Sequence, residues 1–233
     1  MNIIVTCEHG GNKIPKKYLS LFRNKKKILN SHRGWDQGAL VLANKIARDL
    51  SVPLFYSETS RLLIDLYRSL HHPGLFSEFS KPCDKAIKQE IINKIYLPYR
   101  SKVEDEIKNS NSKSPTIHFS VHSFTPRLHG ETRNADMGLL YDPARKPEKE
   151  FCDKLRHILK IEFPNLVIRC NYPYKGKADG FTACLRKQFS EKKYLGIEIE
   201  INQKHVKADN AIWLMINIQM GKVLLNMPDN SFI

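Results

Sequence analysis

Ile3-Ile4-Val5-Thr6-Cys7-Glu8-His9-Gly10-Gly11 is a β-branched run that breaks on a histidine and two glycines. Thr116-Ile117-His118-Phe119-Ser120-Val121-His122-Ser123-Phe124 is a second apolar run that reaches a histidine. Runs of this kind read as buried strands delivering their last side chains to a sheet edge. In open α/β sheets, ligands bind at the carboxyl ends of the strands. Two histidines delivered there, with acidic residues nearby, are the makings of a metal site.

Outward from these runs, strands alternate with helices. Further strands are predicted at residues 52–56, 137–141, 166–170 and 194–201, and a strand or strand end at 62–64. Helical spacing marks 36–47, with Asp36 placed as its N-cap, and also 147–160, 182–189 and 207–225. Residues 84–108 predict one long amphipathic helix bent near Pro98. One or two helical turns are expected at 15–21, a polar loop at 24–32 and a polar turn at 109–115. The alternation predicts an α/β fold: a three-layer α/β/α sandwich around a mostly parallel or mixed central sheet.

The bulk numbers agree with a single domain spanning residues 1–233. Hydrophobic residues make up 41% and charged residues 27% of the 233 residues, ordinary values for a globular chain. No apolar stretch approaches the roughly 20 residues of a membrane span, so no membrane association is expected. No charged n-region or cleavage site opens the sequence, so no signal peptide is expected. The five cysteines are scattered without a C-x-x-C pair. That pattern predicts reduced thiols and a cytoplasmic protein, not a disulfide scaffold or a thiolate zinc site. The net charge of +14 reads first as a basic solvated surface. It would also favour a small anionic substrate, while nucleic acid is unlikely without an RNP, helix-turn-helix or zinc-finger signature.

A catalytic zinc takes three nitrogen or oxygen ligands and keeps one position open. His9 and His122 supply two. For the third, Glu8 adjoins His9 but would point to the opposite side of a continuing strand, and Asp36 lies at a helix start after a glycine-containing loop. In Gly196-Ile197-Glu198-Ile199-Glu200-Ile201, alternation sends both glutamates to one face and the isoleucines to the other. A carboxylate enclosed there would have a raised pKa suited to general-base work. Arg61, Arg68 and Arg133 can hold carboxylates bidentately. The long loop before Arg133 and the turn-rich Asn171-Tyr172-Pro173-Tyr174-Lys175-Gly176-Lys177 offer walls for a site. A serine or cysteine hydrolase, using Ser123 beside His122 or Cys7 near His9, is the weaker chemistry because no Gly-x-Ser-x-Gly elbow is present.

Taken in order, Cys7-Glu8-His9-Gly10-Gly11-Asn12-Lys13-Ile14-Pro15, Asp36 with its helix, Arg61-Leu62-Leu63-Ile64-Asp65-Leu66-Tyr67-Arg68, Val121-His122-Ser123-Phe124, Asn171-Tyr172-Pro173-Tyr174-Lys175-Gly176 and Ile199-Glu200-Ile201-Asn202 resemble the N-formylglutamate amidohydrolase family. That family is similar in fold to zinc-dependent exopeptidases such as carboxypeptidases and aspartoacylases. The resemblance implies a zinc-dependent (Zn2+) hydrolase that cleaves an N-formyl or N-acyl amino acid, with His9 and His122 as metal ligands. The exopeptidases' H-x-x-E ligand position is Asn12 here, which leaves Asp36 as the substitute. Glu200 matches the expected general base, with Glu198 as the fallback. Arg61 would assist catalysis, and Arg68, Arg133 and Tyr174 would bind substrate. Tyr67 stands where family members commonly carry an asparagine before the arginine. The alternatives are a carboxypeptidase or deacylase with another N-acyl substrate, and a non-catalytic anion- or nucleic-acid-binding protein on the same scaffold.

Overall fold

A computed structural model describes residues 2–111, 114–207 and 209–227. In chain order the strands are β1 (Asn2–Cys7), β2 (Leu54–Tyr56), β3 (Thr116–Phe124), β4 (Arg127–Leu128), β5 (Glu131–Thr132), β6 (Met137–Leu140), β7 (Ile168–Cys170) and β8 (Tyr194–Asn202). The α-helices are α1 (Lys26–Leu29), α2 (Ala39–Leu50), α3 (Lys85–Ile91), α4 (Leu97–Ser110), α5 (Lys146–Glu162), α6 (Phe181–Gln188) and α7 (Ala211–Leu225). Six strands form a mixed sheet in the order β2-β1-β3-β8-β6-β7. β2, β1, β3 and β8 run parallel, and the parallel pair β6–β7 runs against β8. β4 and β5 form a separate small hairpin.

The period-2 alternation of the strands builds the three layers. Val5, Phe119, Val121, Ile197, Ile199 and Ile201 pack on one face against Leu42 and Ile46 of α2, Phe151 and Leu155 of α5, and Ile216 of α7. Burying each such side chain stabilises the fold by about 1.5–3 kcal/mol. Ile4 and Tyr194 pack on the other face with Val103 and Ile107 of α4 and Phe181 and Leu185 of α6. That second face also carries the polar residues of the alternation. Every residue of β3 and β8 is buried, and their register sets His122 beside Glu200 and Ser120 beside Glu198. The sheet therefore holds imidazoles and carboxylates side by side at the carboxyl ends of its central strands.

Several expectations needed correction. Residues 62–64 form no strand. Leu62, Leu63 and Ile64 fill turns against Tyr18, Phe22, Leu75, Ile91 and Tyr96. Their backbone is satisfied locally, with Ser80 Oγ donating to the Leu62 carbonyl and Asp65 N to the Leu75 carbonyl. A short continuous apolar run reads the same in either setting. Asp36 is not the N-cap of α2; Gly38 is, at φ +82°. A Cβ at Gly38 would lie 2.6 Å from a Val206 methyl, so only glycine fits, and the Asp36 side chain is left for the site. The helix predicted over 84–108 is interrupted by a π-helical turn at Ile92–Tyr96. Pro98 has no N–H for an i→i−4 bond, and the wider turn just before it absorbs the defect.

The predicted polar loop 24–32 contains α1. The last helix starts at Ala211, where the Asn210 side chain accepts from Trp213 N, and not at 207. Ala208 lies outside the described residues, as do Ser112 and Lys113 of the predicted turn 109–115. The loop before Arg133 contains the β4–β5 hairpin, whose central residues His129 and Gly130 both have positive φ, as a type I′ turn requires. Among the described residues, no helix is long and apolar enough to cross a membrane.

Candidate active site

β1 ends at Cys7, so the chain leaves the sheet before His9. The His9 ring then meets that of His122, with centroids 5.2 Å apart. Because the strand does not continue, Glu8 and His9 serve the same site, contrary to the opposite orientation expected from alternation. His9 Nδ1 lies 3.4 Å and His122 Nδ1 2.9 Å from the same Asp36 oxygen, Oδ2. Ligand atoms of these three buried residues lie within 4.8 Å of one another. Asn12, by contrast, is half-buried and donates to Asn30 Oδ1.

The remaining ring nitrogens are engaged behind this group. His9 Nε2 is 2.7 Å from Asp65 Oδ1. His122 Nε2 is 2.9 Å from Ser120 Oγ and 3.2 Å from Glu8 Oε2. Glu8 in turn accepts from Ser120 Oγ and from the Tyr99 hydroxyl. Carboxylates at both Nε2 positions favour Nε2–H tautomers, which turn two bare Nδ1 lone pairs toward a carboxylate oxygen. With both rings neutral, three electron-rich atoms converge with no proton between them. That is the arrangement a cation satisfies, and a carboxylate behind each imidazole is the usual support of a metal-ligating histidine. The two-nitrogen, one-oxygen donor set suits zinc.

Electrostatics keeps the imidazoles unlike. Burial, reinforced by the Arg61 charge, lowers the His9 pKa to about 4, so His9 is neutral at pH 7. Burial also works against a proton on His122, but the Glu8 hydrogen bond and charge outweigh it and raise its pKa. Burial alone would raise Glu8 and Asp65. His122 instead holds Glu8 well below the usual carboxylate range, and His9 and Arg61 do the same for Asp65. Should the group hold zinc, replacing Asp65 with asparagine is expected to lower its affinity about 10–100-fold. A chelator-competition titration measures this, and unchanged affinity would remove Asp65 as the group that orients His9.

Glu200 stands apart. It is buried, its Oε2 has no hydrogen-bond partner, and burial raises its pKa to about 7 against the opposing pull of His122. Glu198 is placed differently: its Oε1 accepts from the Tyr67 hydroxyl at 2.8 Å and Thr182 Oγ1 at 2.6 Å. Arg61 meets Asp36 Oδ1, and its Nε is buried without a partner. Arg68 donates to the Asp179 carbonyl at 3.0 Å. All of these groups except Thr182 line one cavity of about 430 Å³ together with Tyr174 and the histidines. Arg133 is not part of the lining; it stands behind it, donating to the Tyr174 hydroxyl at 3.0 Å.

The competing nucleophiles are badly placed. Ser120, His122 and Asp36 follow one another like a catalytic triad, but Ser120 is fully buried and its proton goes to Glu8. Ser123 Oγ donates to the Gln37 carbonyl, and burial raises the Cys7 thiol. Sequence reading assigned no role to Asp65, Thr182 or His32. Of these, Asp65 left a signal: it is the one charged residue within Leu62-Leu63-Ile64-Asp65-Leu66, so its burial was legible.

Comparison with known proteins places the chain among amide hydrolases. It matches the N-formylglutamate amidohydrolase family over residues 1–206 and belongs to that family. Among solved structures it is similar to gene product Atu2144 from Agrobacterium tumefaciens, at 27% identity and a TM-score of 0.80, over 96% of this chain and 90% of that one. It shares its fold with an N-formylglutamate amidohydrolase from Ralstonia eutropha JMP134, at 17% identity and a TM-score of 0.70, over 97% and 92% of the two chains. No curated protein matches it.

Proposed function

We propose that the protein is a zinc-dependent hydrolase of the amide bond in N-formyl or other N-acyl amino acids. The observation that carries this reading is the convergence of His9 Nδ1 and His122 Nδ1 on Asp36 Oδ2 in the cavity that Glu200 also lines. His9, Asp36 and His122 would hold the metal. Zinc bound there supplies acidification of a water and polarisation of a carbonyl. Glu200, with its unpartnered Oε2, takes the proton of the attacking water and returns it to the leaving amine. Arg61 faces the oxyanion that develops on the carbonyl, and Arg68 meets a substrate carboxylate. Arg133 holds Tyr174 in place at the cavity wall. A nucleic-acid- or anion-binding role without catalysis finds no support in the cavity, whose carboxylates outnumber its cations.

The test is metal analysis together with turnover. Purified protein should carry or take up one zinc per chain and release free amine from an N-formyl amino acid. Absence of both would sink the reading. The pH profile adds a sign. Glu200 acts as a base only when ionised, so kcat/KM should fall on acidification, by about tenfold per pH unit once below its pKa. The limb starts from about 7 and moves lower under the charge of a bound zinc. A rate independent of pH down to 4 would contradict the role given to Glu200.

A further inference from the structure

The chain is strongly basic, yet its cavity is not. Arg61, Arg68 and Lys175 are the cations of the lining; Asp36, Asp65, Asp179, Glu198 and Glu200 are its carboxylates. With all five carboxylates ionised, a divalent metal on the His9–Asp36–His122 group would offset their excess of two over the cations. The arginines are also engaged already. Arg61 meets Asp36, and Arg68 donates to the Asp179 carbonyl with its Nε 4.0 Å from Asp65. Arg133, the remaining guanidinium nearby, lies over the Tyr174 and Phe124 rings, 5.0 and 5.9 Å from their centroids.

Beyond the reacting groups the lining offers carbon alongside the polar His32, Ser123, Thr125, Lys175 and Asp179. Phe124 ends β3, Leu128 is carried over the cavity by the β4–β5 hairpin, and Tyr174 stands on the turn after β7. Tyr67 adds a ring whose hydroxyl is engaged with Glu198. A cavity of about 430 Å³ lies in the range that encloses ligands larger than a formylated dicarboxylic acid. Lys175, on the exposed turn after β7, is the lining cation left for a second substrate carboxylate, which would otherwise lose its water among rings and carboxylates.

Resting on the amide-hydrolase reading above, we propose that the site takes N-acyl amino acids or peptide ends with a single carboxylate and an apolar side chain. That side chain lies against Phe124, Leu128 and Tyr174, and such substrates are preferred over dicarboxylic ones.

The experiment compares N-formyl-L-leucine with N-formyl-L-glutamate in two ways: kcat/KM on the zinc-loaded protein, and Kd by calorimetry on Glu200→Gln protein. The leucine compound should be favoured at least about tenfold in both. Leu128→Ser, on a half-exposed hairpin position outside the sheet, should bring the two near parity. A glutamate preference, or equality, overturns the proposal while turnover of either compound leaves the amide-hydrolase reading standing. An unchanged leucine preference in Leu128→Ser also overturns it, by removing the wall it names. Tighter binding of the leucine compound without turnover supports the subsite and defeats the catalytic reading. Neither binding nor turnover defeats both.

Discussion

Glu200→Gln is expected to lower kcat by about 10²–10⁴-fold, the usual contribution of a positioned general base, without loss of zinc or of the fold. The substitution keeps the shape and burial of the side chain but cannot accept a proton at neutral pH. The fold should tolerate it well, because the wild-type carboxylate is buried with Oε2 unpartnered, and ionising such a group in the protein is unfavourable. The thermal midpoint of the metal-free protein should therefore stay level or rise. Glu198→Gln is the control. Its carboxylate oxygen already accepts two hydroxyl protons, so its loss should disturb the position of Tyr67 more than the chemistry. A Glu200→Gln loss under about tenfold, or a larger loss for Glu198→Gln, would transfer the base role to Glu198.

The second large effect belongs to Asp36. Asp36→Asn removes the one anionic member of the converging group and leaves the Arg61 guanidinium beside a neutral amide. Zinc affinity should fall by more than the ~10–100-fold that follows loss of an outer partner of a ligand, and activity should fall with zinc occupancy. Glu8→Gln should have the smaller effect. Glu8 sits behind His122, held by Ser120 and Tyr99, so it acts by orienting the imidazole. Competition titrations on both variants decide between them. Undiminished zinc affinity in Asp36→Asn, with a collapse in Glu8→Gln, would move the third ligand to Glu8.

Much of the sheet was legible because its strands carry their destination in their composition. Fully buried strands read as β-branched runs, and the alternation of glutamate with isoleucine in β8 showed which side chains would share a face. The turn-filled segment at 62–64 was not legible, since three consecutive apolar residues read alike in a strand and in a packed turn. Nor was the π-helical turn before Pro98, because the sequence marks a defect there and not how the helix absorbs it. Asp36 was legible as a residue at a helix start. Its place in the cavity depended on Gly38 taking the N-terminal position, and that depended on the nearness of Val206, 168 positions away from Gly38 in the chain.

For the site the division is similar. Sequence alone determined that His9 and His122 lie close to the carboxyl ends of strands, that the two late glutamates share a face, and that the chain resembles amide hydrolases, because these follow from local pattern and ordered motifs. Only the tertiary structure decided that β1 stops in time for His9 to turn onto His122, that Asp65 and Glu8 stand behind the imidazoles, and that Glu198 is engaged while Glu200 is not. It also separated the charge of the chain from the charge of its cavity. The physical reason is range: side-chain alternation is set within a few residues, whereas proton sharing and charge balance are set by groups brought within about 3 Å from distant parts of the chain.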